Sequence, residues 1–183
     1  SRMSSMTLDT VGWYGRCVED LILVGTAYRI PEDTTPIQVR GLRVGLCRSP
    51  AWHAIEPGGE QALADAARRL SEAGAVVEDL VLPEPFNRLI EAQNVIVNAE
   101  GASSFLPEYV NAYGILAPDL RAKVENSIGT TPEQLVAAYT VADSCRPVFD
   151  GLFGPSLDVV LTPSSPGEAP VGLPTTGNAI FNR

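Results

Sequence analysis

The apolar positions of this chain change period several times, and each change marks an element. Leu42-Arg43-Val44-Gly45-Leu46-Cys47 is a short β-favouring run and predicts a strand. From about Gly59 to Ala73, the residues Leu63, Ala66, Ala67, Leu70 and Ala73 recur at helical spacing, and Gly74 is placed to end that helix as a left-handed cap. Ala75 to Leu82 predicts a second strand, stopped by Pro83. Strand, helix and strand over this length imply a right-handed crossover and a parallel pair.

Before that unit, residues 7–15 read as an extended segment ending in glycine, followed by a helix from about Val18 to Tyr28. Val18, Leu21, Ile22 and Gly25 share one face of it. Cys17 takes the N-cap position, and Asp20 stands where a capping-box acid belongs. Residues 29–41, with Pro31-Glu32-Asp33-Thr34-Thr35-Pro36 inside them, predict a linker loop.

After the second strand the pattern turns helical. Phe86 to Leu106 carries Leu89, Ile90, Gln93, Ile96, Val97, Glu100 and Ser104, and Pro107 is expected to break it. Leu116 to Ile128 predicts a shorter helix with Pro118 in its first turn. Thr131-Pro132-Glu133-Gln134 supplies an N-cap, a proline at N1 and a capping-box glutamine at N3. The helix it opens should run towards Cys145, with Leu135, Ala138, Tyr139, Ala142 and Cys145 on one face and Pro147 near its end. A buried strand over 158–162 then stops at Pro163 and opens into a loop through Ser164, Ser165 and Glu168 to Pro170. These elements predict an α/β fold. In open α/β sheets, ligands usually bind where such a strand ends.

Composition narrows the partners more than the fold. The 183 residues are 45% hydrophobic and 19% charged, a globular balance. A net charge of −9 disfavours a direct nucleic-acid binder, which would gather Lys and Arg on one face. No apolar run approaches the roughly 20 residues of a membrane span. Cys17, Cys47 and Cys145 are widely spaced and odd in number, so neither a disulfide framework nor a zinc site is expected, and a reducing cytoplasm fits best.

Residue by residue, the chemistry is sparse. His53 is the single histidine and Lys123 the single lysine. His53 reads as a surface or structural residue. Lys123, between Arg121 and Glu125, reads as a solvated residue on an exposed helix. Gly101-Ala102-Ser103-Ser104 falls inside a helical pattern and reads as close helix packing rather than a nucleophile loop. Val44-Gly45-Leu46-Cys47-Arg48-Ser49 has too few glycines to cradle a phosphate. Asp9 reads as bonding backbone within the Asp-Thr-Val-Gly turn. Thr162, Ser164 and Ser165 stand at the strand mouth, where polar contacts to a ligand are expected, and no base is placed to activate either serine.

Two segments carry a resemblance. Thr7-Leu8-Asp9-Thr10-Val11-Gly12-Trp13-Tyr14-Gly15-Arg16-Cys17-Val18-Glu19-Asp20-Leu21 resembles the segment that follows the catalytic loop of amidase signature enzymes. Asp158-Val159-Val160-Leu161-Thr162-Pro163-Ser164-Ser165-Pro166-Gly167-Glu168-Ala169-Pro170 resembles their late strand and substrate-side loop, and Thr176 to Arg183 the run after it. Leu42–Cys47, Ala75–Pro83 and Asn98-Ala99-Glu100 fall between them in the expected order.

The resemblance implies part of an α/β/α sandwich around a small mixed or parallel sheet, with residues 1–183 as one incomplete, C-terminal piece of the domain. It implies amide hydrolysis by a serine nucleophile, a second serine in a cis peptide and a lysine base, with no cofactor and no metal. In the family those groups precede the segment matching Leu8–Asp20, and only seven residues precede Leu8 here. The family's closing segment would likewise follow Arg183. The expectation is therefore a chain with no catalytic residues of its own, in which Thr162, Ser164, Ser165 and Asp9 contact a small-molecule amide. Two further readings accompany it. One is a binding or assembly module that forms homo-oligomers or complements a missing catalytic half. The other is the amidase-like subunit of a tRNA-dependent amidotransferase, although the Pro-Gly-Glu-Ala-Pro loop is closer to that of the stand-alone hydrolases.

Overall fold

The computed structural model describes residues 3–30, 37–154, 156–172, 175 and 177–182. The expected linker over 29–41 therefore lies partly outside the described residues. Within them the chain is α/β, with five α-helices and one three-stranded parallel sheet.

The crossover unit forms as its sequence predicts. Strand β1 (Arg43–Cys47) pairs in parallel with β2 (Val76–Leu80), in a register that sets Arg43 opposite Val76 and Cys47 opposite Leu80. Helix α2 (Pro57–Glu72) connects them. It ends where Gly74 adopts φ 95°, so that the Ala75 N–H reaches the Leu70 carbonyl at 3.0 Å and the Gly74 N–H reaches that of Ser71 at 2.9 Å. That double bond is a Schellman cap, and it requires the left-handed residue that glycine supplies. Strand β3 (Val159–Leu161) pairs with the other side of β1, giving the order β2-β1-β3. Inside β1, Gly45 lets its neighbours close in, since a Cβ there would lie 2.8 Å from Leu157 Cδ1.

Two strand expectations change. The elements are shorter than predicted, and β3 is not fully buried: Val159 is exposed, while Val160 and Leu161 are half-buried. The cause is position, because β3 is an edge strand of the described sheet and has one hydrogen-bonded neighbour.

The core lies between α3 (Leu89–Ala112) and α5 (Pro132–Asp150), where Phe86, Ala92, Ile96, Ala138, Val141, Ala142 and Cys145 cluster. Ile96 is fully buried. Phe86 stands on a 3-10 turn (Glu84–Arg88) and meets Phe149 with ring centroids 6.3 Å apart. Pro107 does not break α3, as the sequence pattern implies, but sits inside it. A proline within a helix forfeits one backbone bond at a cost of about 3 kcal/mol, and α3 offsets it by packing against both α5 and α4 (Pro118–Val124). Thr131 forms the expected capping box: its hydroxyl accepts from the Gln134 N–H at 3.2 Å, and Gln134 Oε1 accepts from the Thr131 N–H at 2.9 Å.

Helix α1 (Val18–Ala27) follows an N-cap at Cys17 whose side chain makes no capping bond. Asp20 reaches the Arg16 N–H at 3.3 Å rather than that of Cys17, so the capping box is not closed. Gly25 is buried and Leu21 half-buried, whereas Val18, Leu23 and Tyr28 are exposed. Tyr28 stacks on Trp13 at 5.5 Å and folds the end of α1 back on the segment before it. Among the described residues, no helix is long and apolar enough to cross a membrane.

Candidate functional site

Parallel strands bring their carboxyl ends to one edge of the sheet, so β1 and β3 deliver Cys47 and Thr162 to the same opening. A cavity of about 530 Å³ lies there, between these strand ends, α5 and the 3-10 turn at 84–88. Leu8, Leu82, Phe86, Leu89 and Phe149 give it an apolar wall, and Ser49, Thr162, Arg146 and Asp150 are its polar members. Such a mix, mostly apolar with a few convergent polar groups, is the usual character of a small-molecule site. Among the described residues lining it there is no histidine and no lysine.

The turn leaving β1 shapes one lip. Ser49 adopts φ 38°, a left-handed conformation that costs a side-chain-bearing residue energy and concentrates at functional positions. Its hydroxyl accepts from the Ala51 N–H at 3.1 Å and its carbonyl from the Trp52 N–H at 3.2 Å. Arg48 is drawn away from the cavity, pairing with Asp79 at 2.8 Å and lying 5.6 Å from the centroid of the Trp52 ring.

The loop leaving β3 shapes a second, smaller hollow of about 300 Å³, where Thr162, Ser164 and Ser165 face Gly58, Gly59 and Ala62 of α2. Thr162 thus lines both spaces. Ser165 Oγ donates to the Gly167 carbonyl at 2.9 Å, a bond that shapes the loop. Three of the four residues expected to contact a ligand therefore stand together.

Asp9 stands apart and lines neither space. It does bond backbone, but upstream of the turn expected for it: its Oδ2 accepts from the Ser4 N–H at 2.6 Å, the Ser5 N–H at 3.1 Å and Ser4 Oγ at 3.1 Å. The Ser5 N–H, more than any other donor, holds the Asp9 carboxyl below its ordinary range, against an opposing push from burial and with help from Ser4 and Lys123.

A polar cluster that no sequence spacing announced lies beside it. The Glu100 carboxylate, on α3, accepts from Ser5 Oγ at 2.5 Å, the Thr7 N–H at 2.9 Å, Thr7 Oγ1 and Tyr139 Oη at 2.6 Å. Burial pushes its pKa up, but the Ser5, Thr7 and Tyr139 donors outweigh that and hold it at about 2. Its partners lie 93 and 95 residues upstream and 39 downstream, so no local motif could have revealed them. Tyr139 reads in the sequence as one more member of an apolar helix face.

The remaining candidates resolve simply. His53 is exposed. Lys123 is half-buried rather than solvated, because its stem lies over Gly101, where a Cβ would come 3.2 Å from Lys123 Cδ. Gly101 is buried in α3 and serves the close packing expected of it. Cys17 is exposed, while Cys47 and Cys145 are buried and all three are free thiols. Among the described residues, no group of three or more His, Cys, Asp or Glu is arranged to hold a metal ion.

No protein-family model matches the chain. Curated proteins do. It is 30% identical over 175 residues to the 2-amino-5-chloromuconic acid deaminase of Comamonas testosteroni, an alignment covering 91% of this chain and 37% of that protein. It is 27% identical over 214 residues to one subunit of the glutamyl-tRNA(Gln) amidotransferase of Afipia carboxidovorans, covering 94% of this chain and 43% of that protein. The same component of the amidotransferase of Azorhizobium caulinodans is 26% identical over 212 residues, covering 94% and 42%. The chain thus spans about two fifths of the length of these relatives. They are amidase signature proteins, and their similarity extends over nearly all of the present sequence. Over nearly its whole length the chain is similar to members of the amidase signature family.

Proposed function

We propose that this chain forms the substrate-side part of an amide-bond hydrolase acting on C–N bonds other than peptide bonds. The cavity at the ends of β1 and β3 would take the apolar part of a small amide, with Thr162 at its mouth and Ser164 and Ser165 as polar contacts along the adjoining loop. The observation that carries this reading is the coincidence of an apolar cavity with the strand ends of a sheet whose sequence relatives are amidase signature proteins. An α/β/α sandwich, of which these residues are the C-terminal portion, is the architecture that goes with it. The chain is not expected to hydrolyse amides alone, because the described lining of the cavity holds no lysine or histidine to activate a serine. A nucleophile and base would have to reach the same mouth from elsewhere.

The test has two arms. Purified chain should bind benzamide, with NMR shift changes at Cys47 and Thr162, and should not release p-nitroaniline from p-nitroacetanilide above background. Shift changes confined to other parts of the fold would remove the cavity from consideration. Hydrolysis abolished by a serine-directed inhibitor would overturn the view that the chain is not competent alone.

Two observations support a part in an assembly. Val18, Leu23 and Tyr28 leave apolar surface of α1 exposed, as does Tyr14 before it, which favours a homo-oligomer or a complementing catalytic chain as cover. The amidotransferase relatives are each named as one subunit of their enzyme, which favours a place in a larger complex. With a net charge of −9, this chain would leave tRNA contact to a partner. Light scattering that gives a strict monomer at high concentration would count against self-association. Three free thiols suit a reducing compartment such as the cytoplasm.

A further inference from the structure

The Glu100 carboxylate would be costly to desolvate without the donors gathered around it. A carboxylate in a half-buried setting loses solvation, and it is retained here by four donors from two distant parts of the chain. Three of those donors come from Ser5 and Thr7, on the segment before α1, and the fourth is Tyr139 of α5. The segment is itself wound into a turn, since the Asp9 N–H donates to the Ser5 carbonyl at 3.0 Å and the Leu8 N–H to Ser5 Oγ at 3.2 Å. Ser104 Oγ adds a bond to the Met3 carbonyl at 2.6 Å, again from α3.

What this turn presents to the interior is Leu8. Thr7 is exposed and Asp9 faces its own backbone, but Leu8 is half-buried against the core and lines the 530 Å³ cavity. Glu100 does not line that cavity. Its bonds to Thr7 nevertheless fix the residue next to Leu8 through both the backbone N–H and the hydroxyl.

We infer that Glu100 is a positioning residue: by clamping Ser5 and Thr7 onto α3 and α5 it seats Leu8 as one wall of the cavity, and so sets the cavity's affinity for an apolar ligand it never touches. The inference rests on the reading of that cavity as a ligand site. Tyr139 completes the clamp by tying the same carboxylate to α5, whose Ala142, Cys145 and Phe149 also line the cavity. One carboxylate thereby bonds both the segment that carries Leu8 and the helix that carries those residues.

The experiment uses the full chain and the neutral fluorophore N-phenyl-1-naphthylamine, since a net charge of −9 would oppose an anionic dye. Wild type, Glu100→Gln, Thr7→Val and Thr7→Ser are compared by dye titration, NMR shift mapping and amide hydrogen exchange. In Glu100→Gln and Thr7→Val, exchange at Thr7, Leu8 and Asp9 should speed up by about tenfold, the effect of losing one charge-assisted hydrogen bond. Dye affinity should weaken by about fivefold or more. Thr7→Ser keeps the hydroxyl and should restore both, while exchange within α5 stays at wild-type values in all four proteins. Unchanged exchange at Leu8 in both disruptive variants overturns the clamp. Faster exchange with unchanged dye affinity overturns the link to the cavity, as does equal loss of protection throughout α3 and α5. Dye that shifts no resonance at Cys47 or Thr162 in wild type overturns the cavity reading itself, and the exchange data then report separately on whether the clamp exists. If Glu100→Gln fails to fold, the two Thr7 variants decide.

Discussion

The backbone N–H of Glu56 donates to the Pro166 carbonyl at 2.8 Å, tying the N-cap of α2 to the loop that leaves β3. Gly59 makes this approach possible, because a Cβ there would lie 2.2 Å from the Pro166 oxygen. Gly59→Ala should therefore destabilise the fold by about 1–3 kcal/mol, the range for forced overpacking. Gly58→Ala meets nothing closer than 3.6 Å and should instead be neutral or stabilising by up to about 1 kcal/mol. Urea unfolding of the two variants checks the contrast, and equal effects would refute it.

Cys17 caps α1 with an extended backbone, φ −148° and ψ 169°, yet its side chain makes no capping bond. Serine in the same geometry would accept one from the first turn. Cys17→Ser should raise stability by about 0.5–1 kcal/mol. A lowered melting temperature would show that the thiol contributes something the hydroxyl does not.

Glu100 gives the fold a dependence on acid. Its folded pKa of about 2 lies below its ordinary 4.5, so its contribution is fully present above pH 4.5 and is lost as the pH falls towards 2. The charged or titratable groups around it are Tyr139 on α5, Asp9 on the leading segment, and Lys123 of α4 against Gly101. Asp9 is also held low and loses its contribution over an overlapping window, so the comparison must be made against a variant. Between pH 4.5 and 2, stability should fall less steeply in Glu100→Gln than in wild type. Parallel curves from acid-unfolding titrations would assign the acid sensitivity to other groups.

Thr131→Ala removes the hydroxyl half of the capping box on α5 and should cost about 1 kcal/mol. Thr131→Ser should restore most of it. Thermal unfolding monitored by circular dichroism distinguishes the three proteins.

What could be read in the sequence was whatever depends on near neighbours. The β1–α2–β2 crossover follows from apolar periods and the glycine at 74, and the capping box from four consecutive residues beginning at Thr131. Pro107 misled because its local cost is visible in the sequence, whereas the packing of α3 against α4 and α5 that offsets it is not. Lys123 misled for a similar reason: its stem is covered by way of Gly101, on a different helix. That Thr162, Ser164 and Ser165 stand together was legible because they follow one strand. The apolar wall contributed by Phe86 and Phe149 depends on how α5 meets the turn at 84–88, and Glu100 acquires its partners only once residues almost a hundred positions apart meet.

The order β2-β1-β3 also predicts an order of assembly. Arg43 pairs with Val76, 33 positions away, but its side chain and N–H meet Asp158, 115 positions away. Closing the longer loop costs about 1 kcal/mol more in chain entropy. Pulsed hydrogen exchange during refolding should therefore protect β2 before β3, and protection arriving together would contradict it. In that sequence of events the opening at the ends of β1 and β3 would come into existence late, and a partly folded molecule would carry a finished crossover without the cavity beside it.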